Sequence, residues 1–296
     1  MKVSGFILLL LITSCAQNPD ADSQLAKMKI KGNVKMLELS KYNVEQKGKT
    51  VIKLSDKSSI YGPTYTKIEF NRAGNAQKRE LRYAADKHNK KRTYLYNYYF
   101  GSNEKYKKVE VTQKQNGITS KSITKYKWYG DSLEVVTNAK SGFRIENHYK
   151  DNKITSNVHF KQMNSSNKRP IPRDKKVTSY GENDLPKELI RYYNKGDIVV
   201  DWVPIGKTVF SYDQRGNVVS RKNYNLKGKE EAMTALVYND QDDEIKESWT
   251  QIGEGTNSTI ITTYKYDYDE TGNWLKKTHF KNSNPFQVFE RKIIYF

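Results

Sequence analysis

The carboxylates best placed for chemistry in this chain are Asp267 and Asp269, within Tyr264-Lys265-Tyr266-Asp267-Tyr268-Asp269-Glu270-Thr271-Gly272-Asn273. Side chains two apart on an extended strand share one face. Two carboxylates on one face at a strand end could form a catalytic acidic motif. The same residues also suit a hairpin turn. Asp269 would accept hydrogen bonds from backbone N–H groups further on, and Gly272 would adopt the left-handed conformation that closes a turn with a bulge. The catalytic option needs a buried strand feeding an α/β domain, and no βαβ alternation precedes this segment. The turn is the expected reading.

Asp267-x-Asp269-x-Thr271 resembles the first motif of haloacid-dehalogenase-type phosphotransferases, but the downstream lysine and acidic motifs that would hold substrate and Mg²⁺ are missing. A calcium loop counted from Asp267 requires Glu at its twelfth position, where Thr278 stands. His88, His148, His159 and His279 show no paired ligand spacing, and there is no CxxC, so the sequence predicts neither a metal site nor a cofactor. Neither a Gly-x-Ser-x-Gly elbow nor a P-loop occurs. Glu230-Glu231 and Asp242-Asp243 are adjacent acids, which a strand would point to opposite faces; they read as solvated turn residues rather than a glycosidase pair. No catalytic residue is assigned, and the chain reads as a non-enzyme.

The N-terminus carries the clearest address. Lys2 is followed by the apolar run Phe6 to Ile12, too short to span a bilayer and of signal-peptide length. Ile12-Thr13-Ser14-Cys15 then resembles a bacterial lipobox, and Cys15 is the only cysteine. The resemblance implies cleavage of residues 1–14, lipid on the Cys15 sulfur and a bacterial envelope location. Ala16, in place of the aspartate associated with inner-membrane retention, favours the outer membrane. Residues 15–29 read as the lipidated end and a polar tether, with the folded domain spanning 30–296 and a possible subdivision near 165–174.

Composition sets the fold class. Only 36% of residues are hydrophobic, mean hydropathy is −0.88, and 22 tyrosines make up much of the apolar fraction. Tyr, Thr, Val and Ile suit a pleated, half-buried surface, which argues against disorder. Tyr264, Tyr266 and Tyr268 alternate with polar residues, as do Tyr94, Tyr96, Tyr98 and Phe100. Sustained helical periodicity is hard to find, and Lys187 to Tyr193 is the best short candidate for it.

Between such runs a unit recurs: [Phe/Tyr]-[Asn/Asp]-x-x-Gly-Asn, at Phe70–Asn75, Tyr212–Asn217 and Tyr268–Asn273. Degraded copies begin at Tyr149, Tyr180 and Tyr238, so successive starts from Tyr149 to Tyr268 fall 31, 32, 26 and 30 residues apart. A period of this size marks a repeat architecture. Turns are expected at Gly74, Gly216 and Gly272, with Asp269 and Asn273 shaping the last. The unit resembles the YD repeats of the RHS family and related hairpin-repeat envelope lipoproteins. That resemblance implies an antiparallel meander of hairpins and a surface or carbohydrate-binding context. The fold expected is mainly β: an extended, twisted, open sheet, solenoid-like.

Loss of residues 1–14 removes Lys2 alone, leaving 51 basic against 33 acidic groups, a net charge of +18. For an envelope protein this predicts anionic glycans or a partner protein rather than nucleic acid, with the membrane reached through lipid. Lys90, Lys91 and Arg92 precede the aromatic run at Tyr94 and are the candidate anionic-ligand residues. Trp128 and Trp274 are candidate sugar platforms, whereas Trp202, in an apolar run, reads as core. The C-terminal Phe296 resembles the closing residue of outer-membrane barrels. The positions in register with it, Ile294, Lys292 and Glu290, do not suit a lipid-facing strand.

Overall fold

The computed structural model describes residues 23–48, 50–54, 62–85, 91–101, 105–161, 171–181, 183–196, 199–253 and 255–296. Among the described residues a short helix, α1 (Gln24–Lys27), is followed by strands only. These are β1 (Val34–Lys47), β2 (Thr50–Lys53), β3 (Tyr65–Phe70), β4 (Ala76–Tyr83), β5 (Arg92–Phe100), β6 (Tyr106–Gln115) and β7 (Ile118–Tyr129). Next come β8 (Leu133–Asn138), β9 (Phe143–Lys150), β10 (Lys153–Lys161), β11 (Ile171–Tyr180), β12 (Pro186–Asn194) and β13 (Trp202–Tyr212). The last six are β14 (Val218–Tyr224), β15 (Glu230–Tyr238), β16 (Glu244–Ile252), β17 (Asn257–Tyr268), β18 (Trp274–Lys281) and β19 (Asn284–Tyr295).

From β3 onward every strand pairs antiparallel with the next, β10 with β11 included. The sheet is not open. β1 pairs with β19 along Val34–Asn43 and with β3 along Met36–Ser40, closing a barrel of eighteen strands, the nineteen less β2. β2 pairs only with the end of β1. The expected open solenoid is thus corrected to a closed barrel. Closure satisfies the ladder groups that two free edges would leave unpaired. Lys187 to Tyr193 lies in β12, where the period-two alternation prevails over the short helical pattern.

Register fixes the two faces. Leu37 lies beside Ile68, Leu81 beside Tyr94 and Val109 beside Tyr98, all pointing inward. Inside, Leu25 and Ile30 of the N-terminal segment pack with Val34, Leu37, Ile68, Phe70 and Ala76, and Tyr98 and Ile293 flank them. The alternate positions face outward, and charged pairs stand among them at mid-strand: Lys67 beside Glu80, Glu69 beside Lys78, Lys108 beside Lys125 and Asp267 beside Lys276. Charged groups at mid-strand leave no apolar band for lipid, so the outer wall is a water-facing surface. Eighteen strands enclose more space than side chains fill. Accordingly Arg221, which faces inward beside Thr234, remains exposed.

Candidate functional site: a latched rim and a basic mouth

An antiparallel meander sends alternate turns to opposite ends. The three clear repeats, and the degraded copies at Tyr180 and Tyr238, therefore close odd-to-even hairpins at one rim. In each clear copy the sixth residue's carbonyl accepts from the N–H of the second (Asn71, Asp213, Asp269), and the second residue's side chain accepts from the N–H of the sixth at 2.8 Å. Gly74, Gly216 and Gly272 have φ of 83°, 83° and 80°. Asp242 and Asp184 take the same conformation in the degraded copies, at 62° and 60°. Asp269 is thus a turn residue, and Asp267 stands on the outer wall beside Lys276. A register shift directly before the aromatic residue accompanies the turn, as at Ser211/Tyr212 and Asp267/Tyr268.

The aromatic residue of the unit has its own task. Tyr180, Tyr212 and Tyr238 donate to Ile154 O, Pro186 O and Val218 O at 2.9, 2.6 and 3.0 Å. Tyr268 donates to the Asp243 carboxylate at 2.9 Å, and Tyr295, which ends β19 outside any copy of the unit, donates to that of Asp269 at 2.7 Å. Each hydroxyl reaches back to the preceding hairpin and staples the rim. Burial pushes the Tyr268 phenol up to about 12, so it remains a donor.

Across this rim lies the N-terminal segment. Ser23 caps α1, its Oγ accepting from Ala26 N at 3.2 Å, and is 1% exposed. Leu25 N donates to Gly74 O at 3.1 Å, and Ala76 N donates to Gln24 Oε1 at 3.0 Å. Lys29 Nζ donates to Asn217 Oδ1 at 2.9 Å. The Asn273 carboxamide, 2% exposed, pairs with both backbone groups of Lys31, accepting at 2.8 Å and donating at 2.9 Å. All three clear repeats therefore grip the segment. The turn at Asn225–Lys229 on the opposite mouth has the same glycine geometry but Lys229 in the asparagine's place. The asparagine was visible in the sequence, but its role depends on a segment read there as a polar tether.

Behind the rim sits a cluster of rings and charges. Lys277 Nζ stands 4.0 Å from the Tyr264 ring centroid and 5.3 Å from that of Tyr266. The Arg291 guanidinium lies 3.4 Å from the Trp274 centroid, so that face of the indole is taken by a cation. Burial lowers Lys277, takes Arg291 down to about 10 and raises Glu244. Burial, with the charges of Lys277 and Lys41, holds His279 at about 3. Trp128 also faces a cation, Lys105 Nζ, at 4.3 Å, and its Nε1 donates to Tyr106 O at 3.4 Å. Elsewhere on the rim, between β11 and β13, lies a cleft of about 680 Å³ walled by Tyr180, Leu185, Phe210 and Tyr212, with Asn183 and Lys187 at its edge.

The far mouth is different in charge. Lys47, Lys91, Lys114, Lys140, Lys227 and Lys281 are exposed there. The rim mixes both signs: Asp131, Asp151, Asp184, Asp213, Asp240 and Asp269 stand there with the exposed Lys27, Lys29, Lys31, Arg72, Lys150 and Arg215. The structure places Lys91 and Arg92 at the basic mouth, with the Arg92 guanidinium 5.8 Å from the Tyr83 ring. Trp128 and Trp274 lie at the opposite end, so these candidate ligand residues do not converge on one site. Lys90 and Cys15 fall outside the described residues. Among the described residues, no three His, Cys, Asp or Glu side chains converge to hold a metal, and no helix is long and apolar enough to cross a membrane.

No protein-family description matches the chain, and no curated protein does. Among solved structures it is similar to a porin-like protein from Bacteroides uniformis, with 10% identity, a TM-score of 0.45, and coverage of 88% of this chain and 98% of that one. A porin-like protein from Bacteroides vulgatus gives 10%, 0.40, 89% and 98%. The TcdB2–TccC3 structure gives 12% identity and a TM-score of 0.28, covering 85% of this chain and 14% of its own. Likenesses of this size carry no conclusion about function.

Proposed function

We propose that this is a non-catalytic, lipid-anchored protein of the bacterial cell envelope, held in the outer membrane through Cys15, whose basic mouth binds an anionic glycan. The observation that carries the reading is the set of exposed lysines, Lys47, Lys91, Lys114, Lys140, Lys227 and Lys281, that among the described residues stand around one mouth, whereas the rim mixes cations with carboxylates. A water-facing outer wall leaves the lipid as the means of membrane attachment. The buried cations Lys277 and Arg291 lie against aromatic rings, which leaves ligand capture to the exposed mouth. Lysine-driven binding weakens as salt screens it. A glycan array at low and high salt tests this. Retention of phosphorylated or uronic-acid glycans at low salt and their loss at high salt is the expected result; no retained glycan at low salt overturns it.

A second reading, an assembly subunit that receives a strand from another envelope protein, has one observation in its favour. Among the described residues β2 is the strand paired on one side only, with Val51 and Ile52 exposed, which suits β-augmentation. Pull-down from envelope extracts that yields one protein, lost on Ile52→Pro, would favour it.

A further inference from the structure

We propose that the repeat-turn rim is the membrane-facing end of the barrel, so that the leaflet lies under the Gly-Asn turns and the basic mouth points away from it. The inference rests on lipid attachment at Cys15 and adds which surface meets the bilayer.

The first link is where the N-terminal segment enters the fold. From Ser23 to Lys31 it is fixed to the rim: at Gly74 and Ala76, then at Asn217, then at Asn273. It then turns up into β1, and Phe296 N donates to Asn33 O at 2.9 Å on the same rim. Ser23 is thus held against the turns. Cys15 precedes Ser23 by eight residues (23 − 15), and eight residues reach at most about 28 Å when fully extended. The second link is height. Twelve residues of β7, tilted about 40°, raise the far mouth about 30 Å above the rim. A lipid at Cys15 therefore draws the rim to the leaflet, and the far mouth stands a barrel height further out. The third link is the wall, whose mid-strand Lys and Glu residues prevent the barrel from sinking into the bilayer.

The rival orientation has its own driving force, since the lysine-ringed mouth would be attracted to an anionic leaflet. Cations also stand on the rim, Lys27, Lys29 and Lys31 among them, so it is the tether and not the charge that predicts which end faces the leaflet.

Energy transfer separates them. Acylated Cys15 is a thioether and takes no maleimide, so single thiols at Glu270→Cys or Asp240→Cys on the rim, and Lys140→Cys or Lys227→Cys at the far mouth, can each carry a donor dye on the full-length lipidated protein. Acceptor-labelled lipid is placed in the headgroup layer of phosphatidylethanolamine–phosphatidylglycerol vesicles. The expected result is strong donor quenching at the two rim positions and weak quenching at the two far positions, with the same ranking at high salt. Equal quenching, or stronger quenching at Lys140 and Lys227, overturns the orientation while leaving the anchor intact. Failure of the unsubstituted protein to float with vesicles, or equal flotation of Cys15→Ser, overturns the anchor itself and the orientation with it.

Discussion

Asn273→Ala should release the N-terminal segment from the rim. The carboxamide makes three hydrogen bonds from a site 2% exposed: it accepts from Lys31 N, and donates to Lys31 O and to the Tyr295 hydroxyl. At about 1 kcal/mol net for each, the loss is about 3 kcal/mol. If the segment opens locally rather than by global unfolding, that is roughly a hundredfold rise in the open population. Lys27, Lys29 and Lys31 offer trypsin its sites, so the assay is the rate of cleavage there under native conditions, with denaturant unfolding alongside. Cleavage should accelerate roughly a hundredfold, whereas Tyr295→Phe, which removes one of the three bonds, should accelerate it less than tenfold. Unchanged cleavage in Asn273→Ala, or equal effects in the two variants, would refute the assignment of the repeat asparagine as a latch.

Gly272→Val should cost about 1–3 kcal/mol, because a β-branched residue resists a positive φ. A Cβ there would also stand 3.1 Å from Lys31 Nζ; a thermal melt of the variant measures the loss. Tyr212→Phe, which removes the donor to Pro186 O, should cost about 1 kcal/mol in the same assay. His279 has a folded pKa lowered from 6.5 to about 3. The unfolded chain therefore binds the proton first, and the histidine's contribution is complete above pH 6.5 and erodes as pH falls toward 3. His279→Phe, which keeps a ring beside Tyr264 and Phe289, should flatten stability across that window relative to the parent. Parallel pH profiles would contradict it.

The strands and turns were legible because their signals are local. Tyr264, Tyr266 and Tyr268 alternate, and the glycine of each unit marks a backbone conformation that side chains resist. Closure was not legible. It depends on β1 meeting β19 across almost the whole chain, and the sequence Val34–Lys47, mixed in polarity, gives no sign of its partner. The latch was hidden for a related reason: α1 is a single turn, too short for a periodic pattern, and Leu25 is its one buried residue. Lys187 to Tyr193, the best short candidate for a helix, lies in β12; seven residues cannot separate a helix from a strand by pattern alone. The basic stretch and the tryptophans each looked suited to a ligand, but their separation to opposite mouths depends on counting strands around the ring.

The measurement closest to the central claim is a calorimetric titration with one acidic polysaccharide chosen from the array. Cys15→Ser protein would be compared with the same protein carrying Lys114→Glu, Lys140→Glu and Lys227→Glu at the basic mouth. The account predicts that affinity falls at least tenfold in the charge-reversed protein, that the parent's affinity falls steeply with added salt, and that reversing Lys105 and Arg215 at the rim leaves binding unchanged. Equal affinity of the parent and the mouth variant, or loss of binding through the rim lysine and arginine instead, would contradict it.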